Sequence, residues 1–145
     1  MLEEEALSER ETVLVVEDLD ESRFMMKLSL ELRGYRVLEA INGQEAVDIA
    51  RREPLELILM DLSLPLLDGF AATRRIRDEA RSGDVPIIAV TAHATAEYRV
   101  KALAAGCDEF VTKPIDFDKL GNLIDSLLHG DIETKTAKAK AAPNK

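Results

Sequence analysis

Leu57-Ile58-Leu59-Met60-Asp61 is an unbroken apolar run closed by an acid. With Leu55 it forms the most apolar segment of the chain, and Pro54 separates it from what precedes. A run this short and continuous reads as a strand buried on both faces, the pattern of a parallel sheet. Three other segments follow the same rule. Thr12-Val13-Leu14-Val15-Val16 runs into Glu17-Asp18, Ile87-Ile88-Ala89-Val90 into Thr91, and Phe110-Val111-Thr112 into Lys113-Pro114. If all four are parallel strands, the acids, the hydroxyl and the ammonium emerge together at one edge of one sheet. In an open α/β sheet that edge is where ligands bind. Carboxylates gathered there with a lysine are chemistry suited to a divalent cation and a phosphoryl group.

Between these strands the chain reads as helix. Asp20 or Ser22 can cap a first helix running to about Leu32, with Gly34 placed to end it. Tyr35 to Glu39 is a second, shorter strand, and Asn42-Gly43 turns into a helix that Pro54 stops. Further helices are expected from Phe70 to Glu79 and from Thr95 to Ala105, with Gly106 a natural terminator. Val85 to Val90 is the fourth strand and Glu109 to Thr112 the fifth. Leu120, Leu123, Ile124 and Leu127 mark one face of a last helix. Five strand-then-helix units joined this closely specify an α/β fold, a doubly wound five-stranded parallel sheet with five helices.

Composition narrows the function. The 145 residues suit a single domain, with residues 1–11 expected as a flexible leader, 12–130 as the folded domain and 131–145 as a disordered tail. A formal net charge of -9 argues against nucleic acid, which needs a basic face. No segment approaches the roughly 20 apolar residues of a membrane span. The acid-rich start lacks the pattern of a signal peptide, and the single cysteine, Cys107, leaves no internal disulfide to form. A cytoplasmic location is expected.

Glu17-Asp18, Asp61, Thr91-Ala92 and Lys113-Pro114, in this order and spacing, resemble the receiver domain of two-component response regulators. The resemblance covers residues 12 to about 130 and implies a flavodoxin-like strand order 2-1-3-4-5. It implies Asp61 as phosphoacceptor and Thr91 and Lys113 as catalytic groups that meet the phosphoryl oxygens. It implies Mg2+ as cofactor, held by Asp18, Asp61 and the Ser63 backbone carbonyl, with Glu17 acting mainly through water. Glu17 stands where the family often has Asp. The Lys113–Pro114 peptide is expected to be cis. Thr91 and Phe110 would form the switch pair, Thr91 moving toward phosphate and the Phe110 ring filling the space; Phe110 can also be plain core. His93 reads as an exposed loop residue.

The implied function is a switch phosphorylated by a histidine kinase or a histidine phosphotransfer protein. No external substrate is expected to be turned over. Output would run through an unknown protein target or onward phosphotransfer. A phosphatase of the haloacid-dehalogenase type needs a second acid where Ser63 stands, and a nucleotide-binding domain needs a Gly-rich phosphate loop that is absent. One expectation is separate from the resemblance. At about 100° per residue, Phe24, Met25, Leu28 and Leu32 share one face of the first helix and are read as core. Met26 and Leu30 then point outward and are read as a partner surface.

Overall fold

The computed structural model describes residues 10–79 and 82–130. Most of the expected leader and all of the expected tail lie outside the described residues. The elements run β1 (Thr12–Val16), α1 (Asp20–Leu32), β2 (Arg36–Ala40), α2 (Gly43–Arg52) and β3 (Leu57–Asp61). They continue with α3 (Gly69–Asp78), β4 (Ile87–Thr91), α4 (Ala96–Ala105), β5 (Glu109–Thr112) and α5 (Phe117–His129). All five strands are parallel, in the order β2-β1-β3-β4-β5. The fold class and strand order are as expected.

The three inner strands β1, β3 and β4 are buried along their whole length, which explains their continuous apolar runs. Because side chains alternate across a strand, each run feeds two cores. Leu14, Val16, Ile58, Met60, Ile87 and Ala89 face α2, α3 and α4. Val13, Val15, Leu57, Leu59, Ile88 and Val90 face α1 and α5. Asn42, Asp68, Thr95 and Asp116 each cap a helix by accepting a main-chain N–H three residues on. Gly34 and Gly106 stop α1 and α4 with positive φ, a conformation that disfavours a Cβ.

Two expectations about α1 are corrected. Its N-cap is Leu19, and neither Asp20 nor Ser22 caps it; the Asp20 carboxylate is taken by Arg23. Its faces are also the reverse of the reading from sequence. Met26 and Leu30 are core at 1% exposure, whereas Phe24 is 59% and Leu32 79% exposed, with Met25 and Leu28 also open. Met26 and Leu30 are therefore not a partner surface. The inward face carries only two apolar residues because Arg23 and Lys27 supply the rest of it. Their stems lie inward and their charged heads reach Glu39 on β2. Counting apolar letters mistook that mixed face for the outer one.

Candidate functional site

Parallel pairing sets the height of each strand end. Val16 pairs with Met60, so Glu17 and Asp61 are the next residues on adjacent strands. The sheet also holds Glu17 by its amide, which donates to the Ala40 carbonyl at 3.0 Å. Asp61 pairs with Val90, which puts Thr91 one step beyond it on β4, and the Thr91 carbonyl accepts from the Lys113 amide at 2.8 Å. The Lys113–Pro114 peptide is cis. Five chemically active side chains thus converge on the carboxyl edge of the sheet from four strands.

The acids are close. One carboxylate oxygen from each of Glu17, Asp18 and Asp61 lies within 4.8 Å of the others. Glu17 is fully buried, Asp61 is 4% exposed, and Asp18 opens to solvent. Lys113 Nζ donates to Glu17 Oε1 at 2.5 Å and to Asp61 Oδ2 at 3.3 Å. Asp61 Oδ1 accepts from the Ser63 amide at 2.9 Å, and Glu17 Oε2 from the Leu19 amide at 3.4 Å. Burial, reinforced by the neighbouring Asp61, pushes the Glu17 carboxyl up to about 7. Burial works against the Lys113 ammonium, but the bond to Glu17 and the field of Asp61 leave its pKa raised.

Three carboxylates facing one ammonium leave an excess of negative charge in a partly desolvated place. All the offered donors are hard oxygens, which fits Mg2+ better than a softer ion. Asp61 has one oxygen on Lys113 and one on the Ser63 amide, and a carboxylate is a chemically competent nucleophile.

The remaining candidates have their own partners. Thr91 is fully buried, and its hydroxyl oxygen accepts from the His93 amide at 3.1 Å. The His93 ring is exposed and stacks on Tyr98, centroids 4.8 Å apart. Phe110 is half-buried against the α2–α4 core, and the Arg99 guanidinium lies 5.4 Å from its ring centroid. Ser63 is exposed and contributes its amide to Asp61. Met26 and Leu30 lie in the α1–α5 core.

Sequence reading missed two supports of the site. Gly69 starts α3 directly beneath the acceptor: a Cβ there would lie 2.2 Å from the Asp61 carbonyl oxygen. Arg23 reaches the Glu17 carbonyl from α1. The one signal for Arg23 was a basic residue three positions after Asp20. A groove of about 290 Å3 adjoins the cluster, lined by Glu21, Met25, Lys113, Pro114, Ile115 and Phe117 among others.

Comparison with known proteins places this architecture. The response regulator receiver domain family matches the chain over residues 13–125. Protein PilH of Pseudomonas aeruginosa is 34% identical over 118 residues, covering 81% of this chain and 98% of that protein. Some other curated relatives are longer, and the chain spans about half of them. The receiver domain of the Pseudomonas aeruginosa sensor histidine kinase PA1611 has a TM-score of 0.78 and 36% identity. It covers 82% of this chain and 98% of its own, and was solved with magnesium ion coordinated in its active site cleft. The receiver domain of Saccharomyces cerevisiae Ssk1, solved with the histidine phosphotransfer protein Ypd1, has a TM-score of 0.76 and 33% identity. It covers 82% of this chain and 89% of its own.

Proposed function

The chain belongs to the response regulator receiver domain family of two-component signalling, and on that premise we propose that it is a switch phosphorylated on Asp61. The observation that carries the proposal is the placement of the Asp61 carboxylate. It is nearly buried, lies within 4.8 Å of two further acids and is touched by Lys113. A carboxylate oxygen of Asp61 attacks phosphorus, the bond from phosphorus to the donor nitrogen or oxygen breaks, and an acyl phosphate forms. Water later cleaves that acyl phosphate, so the chain modifies itself and turns over no external substrate.

Asp18, Asp61 and Glu17 would hold Mg2+, with the Ser63 carbonyl as a further oxygen donor. Bound there, the ion offsets the charge of the carboxylates and of the incoming phosphoryl oxygens. Lys113 would pair with those oxygens, a point charge suited to phosphate. Thr91, whose hydroxyl oxygen accepts from the His93 amide, would donate its hydroxyl proton to the phosphoryl group. Phe110 and the Arg99 above it then repack, and output passes through protein contacts or onward phosphotransfer. The excess of acid disfavours nucleic acid as the direct partner. Among the described residues no helix is long and apolar enough to cross a membrane.

We assign the donor's seat to the outer face of α1, where Phe24, Met25, Leu28 and Leu32 are exposed. Met25 also lines the groove that Lys113 and Pro114 share, so a partner covering this face reaches the site. The partner is a histidine kinase or a histidine phosphotransfer protein. The solved pairing of the similar Ssk1 receiver with Ypd1 supports that class of donor.

Incubation with acetyl phosphate and Mg2+ tests the core of this reading. The chain should take up one phosphoryl group, lost in Asp61→Asn and on chelation of the metal. Robust labelling of Asp61→Asn would overturn it.

A further inference from the structure

Arg23 is half-hidden beneath the acid-bearing turn, its side chain 15% exposed. Its guanidinium has three acceptors, one on its own helix and two beyond it. One Nη donates to the main-chain carbonyl of Glu17 at 3.1 Å, and the other to the Asp20 carboxylate at 2.7 Å. Nε donates to the Glu39 carboxylate on β2 at 3.2 Å. The carbonyl of Glu17 belongs to the peptide that joins Glu17 to Asp18. Arg23 therefore grips the plane linking two of the three clustered carboxylates.

The rest of the turn is lightly held. Leu19 offers α1 no side-chain cap, and the Leu19 amide meets Glu17 Oε2 only at 3.4 Å. The sheet fixes the Glu17 amide through Ala40. Beyond that bond the strand has ended, and Arg23 holds the other side of the residue. Three acceptors at three angles match the planar fork of a guanidinium and not the single head of a lysine. Glu39 anchors that fork to β2, and Lys27 shares the same carboxylate at 3.4 Å.

We propose that Arg23 is a positioning residue for the divalent-cation site: by fixing the Glu17–Asp18 peptide it sets how both carboxylates face Asp61. The proposal rests on the reading of the acid cluster as a cation site. It has a distinctive sign. A positive charge beside a cation site repels the ion, so removing Arg23 tightens binding if charge alone matters. Removing it weakens binding if its role is to hold the peptide.

The test is calorimetric titration of the full 145-residue chain with Mg2+ alone, beside urea melts of each variant. Arg23→Gln is expected to bind Mg2+ roughly 10-fold more weakly, the scale on which supports of metal ligands act. Arg23→Lys keeps the charge but cannot span the three acceptors, so it is expected to fall short of the wild type as well. Glu39→Gln, which loosens the fork from β2, gives a milder loss and serves if Arg23→Gln does not fold. Ile124→Val, in the α1–α5 core, controls for loss of stability without change at the turn. Unchanged or tighter binding by Arg23→Gln, or by Glu39→Gln in its place, overturns the proposal. So does a loss that Ile124→Val reproduces. A wild-type chain that binds no Mg2+ removes the cation site itself, a failure the titration separates from that of Arg23.

Discussion

Lys113 Nζ lies 2.5 Å from Glu17 and 3.3 Å from Asp61, so the ammonium rests on the acid of the first strand more closely than on the acceptor. The pair joins residues 96 positions apart and is shielded from water on the Glu17 side. It makes Glu17 more than a ligand candidate. Whatever draws charge from Glu17 also loosens its hold on Lys113.

Burial gives Glu17 a measurable pH signature. Its carboxyl is raised from the ordinary 4.5 to about 7. Between those values the folded chain keeps a proton that the unfolded chain has lost. Folding stability contributed by this group is therefore present below 4.5 and lost as pH rises through about 7. In EDTA, the wild type should lose stability between about pH 5 and about pH 8 by at most ~1.4 kcal/mol per pH unit from this proton. Glu17→Gln should lose less over the same range. Urea midpoints of the two proteins settle it; equal pH profiles would show that Glu17 ionises freely.

Asp61→Asn should be more stable than the wild type when metal is chelated. A pair of unit charges at about 5 Å in an effective dielectric near 20 repels by roughly 3 kcal/mol, before screening and relaxation. The contact with Lys113 at 3.3 Å offsets part of that repulsion. A net gain of up to about 1 kcal/mol remains, an instance of function opposing stability. Saturating Mg2+ should shrink or reverse it, because the wild type binds the ion better. A less stable Asp61→Asn in EDTA would mean that Lys113 and the Ser63 amide outweigh the repulsion.

The two faces of α1 should respond oppositely to substitution. Phe24→Glu with Leu28→Glu should leave the urea midpoint nearly unchanged and acetyl phosphate labelling intact, while slowing transfer from a histidine donor. Leu30→Ala, at a fully buried position, should cost about 2–5 kcal/mol of stability. Undiminished transfer in the double variant would show the outer face to be ordinary surface.

Gly69→Ala tests how the acceptor is supported from below. The added Cβ would meet the Asp61 carbonyl oxygen at 2.2 Å and the Leu62 Cα at 2.7 Å, both backbone atoms with little room to yield. A loss of about 1–3 kcal/mol in a urea melt is expected. Labelling of Asp61 should fall with it, because relief of the clash moves the end of β3.

The elements and the site differ in how far sequence could reach. Unbroken apolar runs such as Leu57 to Met60 announce strands buried on both faces, because burial on each side demands apolar residues at every position. A polar residue at the end of such a run marks where the sheet meets solvent, which is why Glu17, Asp61, Thr91 and Lys113 could be placed at one edge in advance. Boundaries moved by a residue or two, as β2 and β4 did, since ends depend on pairing partners.

Nothing in the local pattern of α1 could reveal its inward face. That face is completed by Arg23 and Lys27, partly buried side chains whose charges are met by Glu39 of β2 and, for Arg23, by the Glu17 carbonyl just beyond β1. The bond between Glu17 and Lys113 is likewise a product of two strand ends meeting across the sheet. Sequence by itself determined the strands, their ends and the chemistry delivered there, because apolar periodicity is a local property of the chain. Tertiary structure alone decided which charges are paired and which apolar face is bare, because the partner that satisfies a buried charge is supplied from elsewhere in the fold.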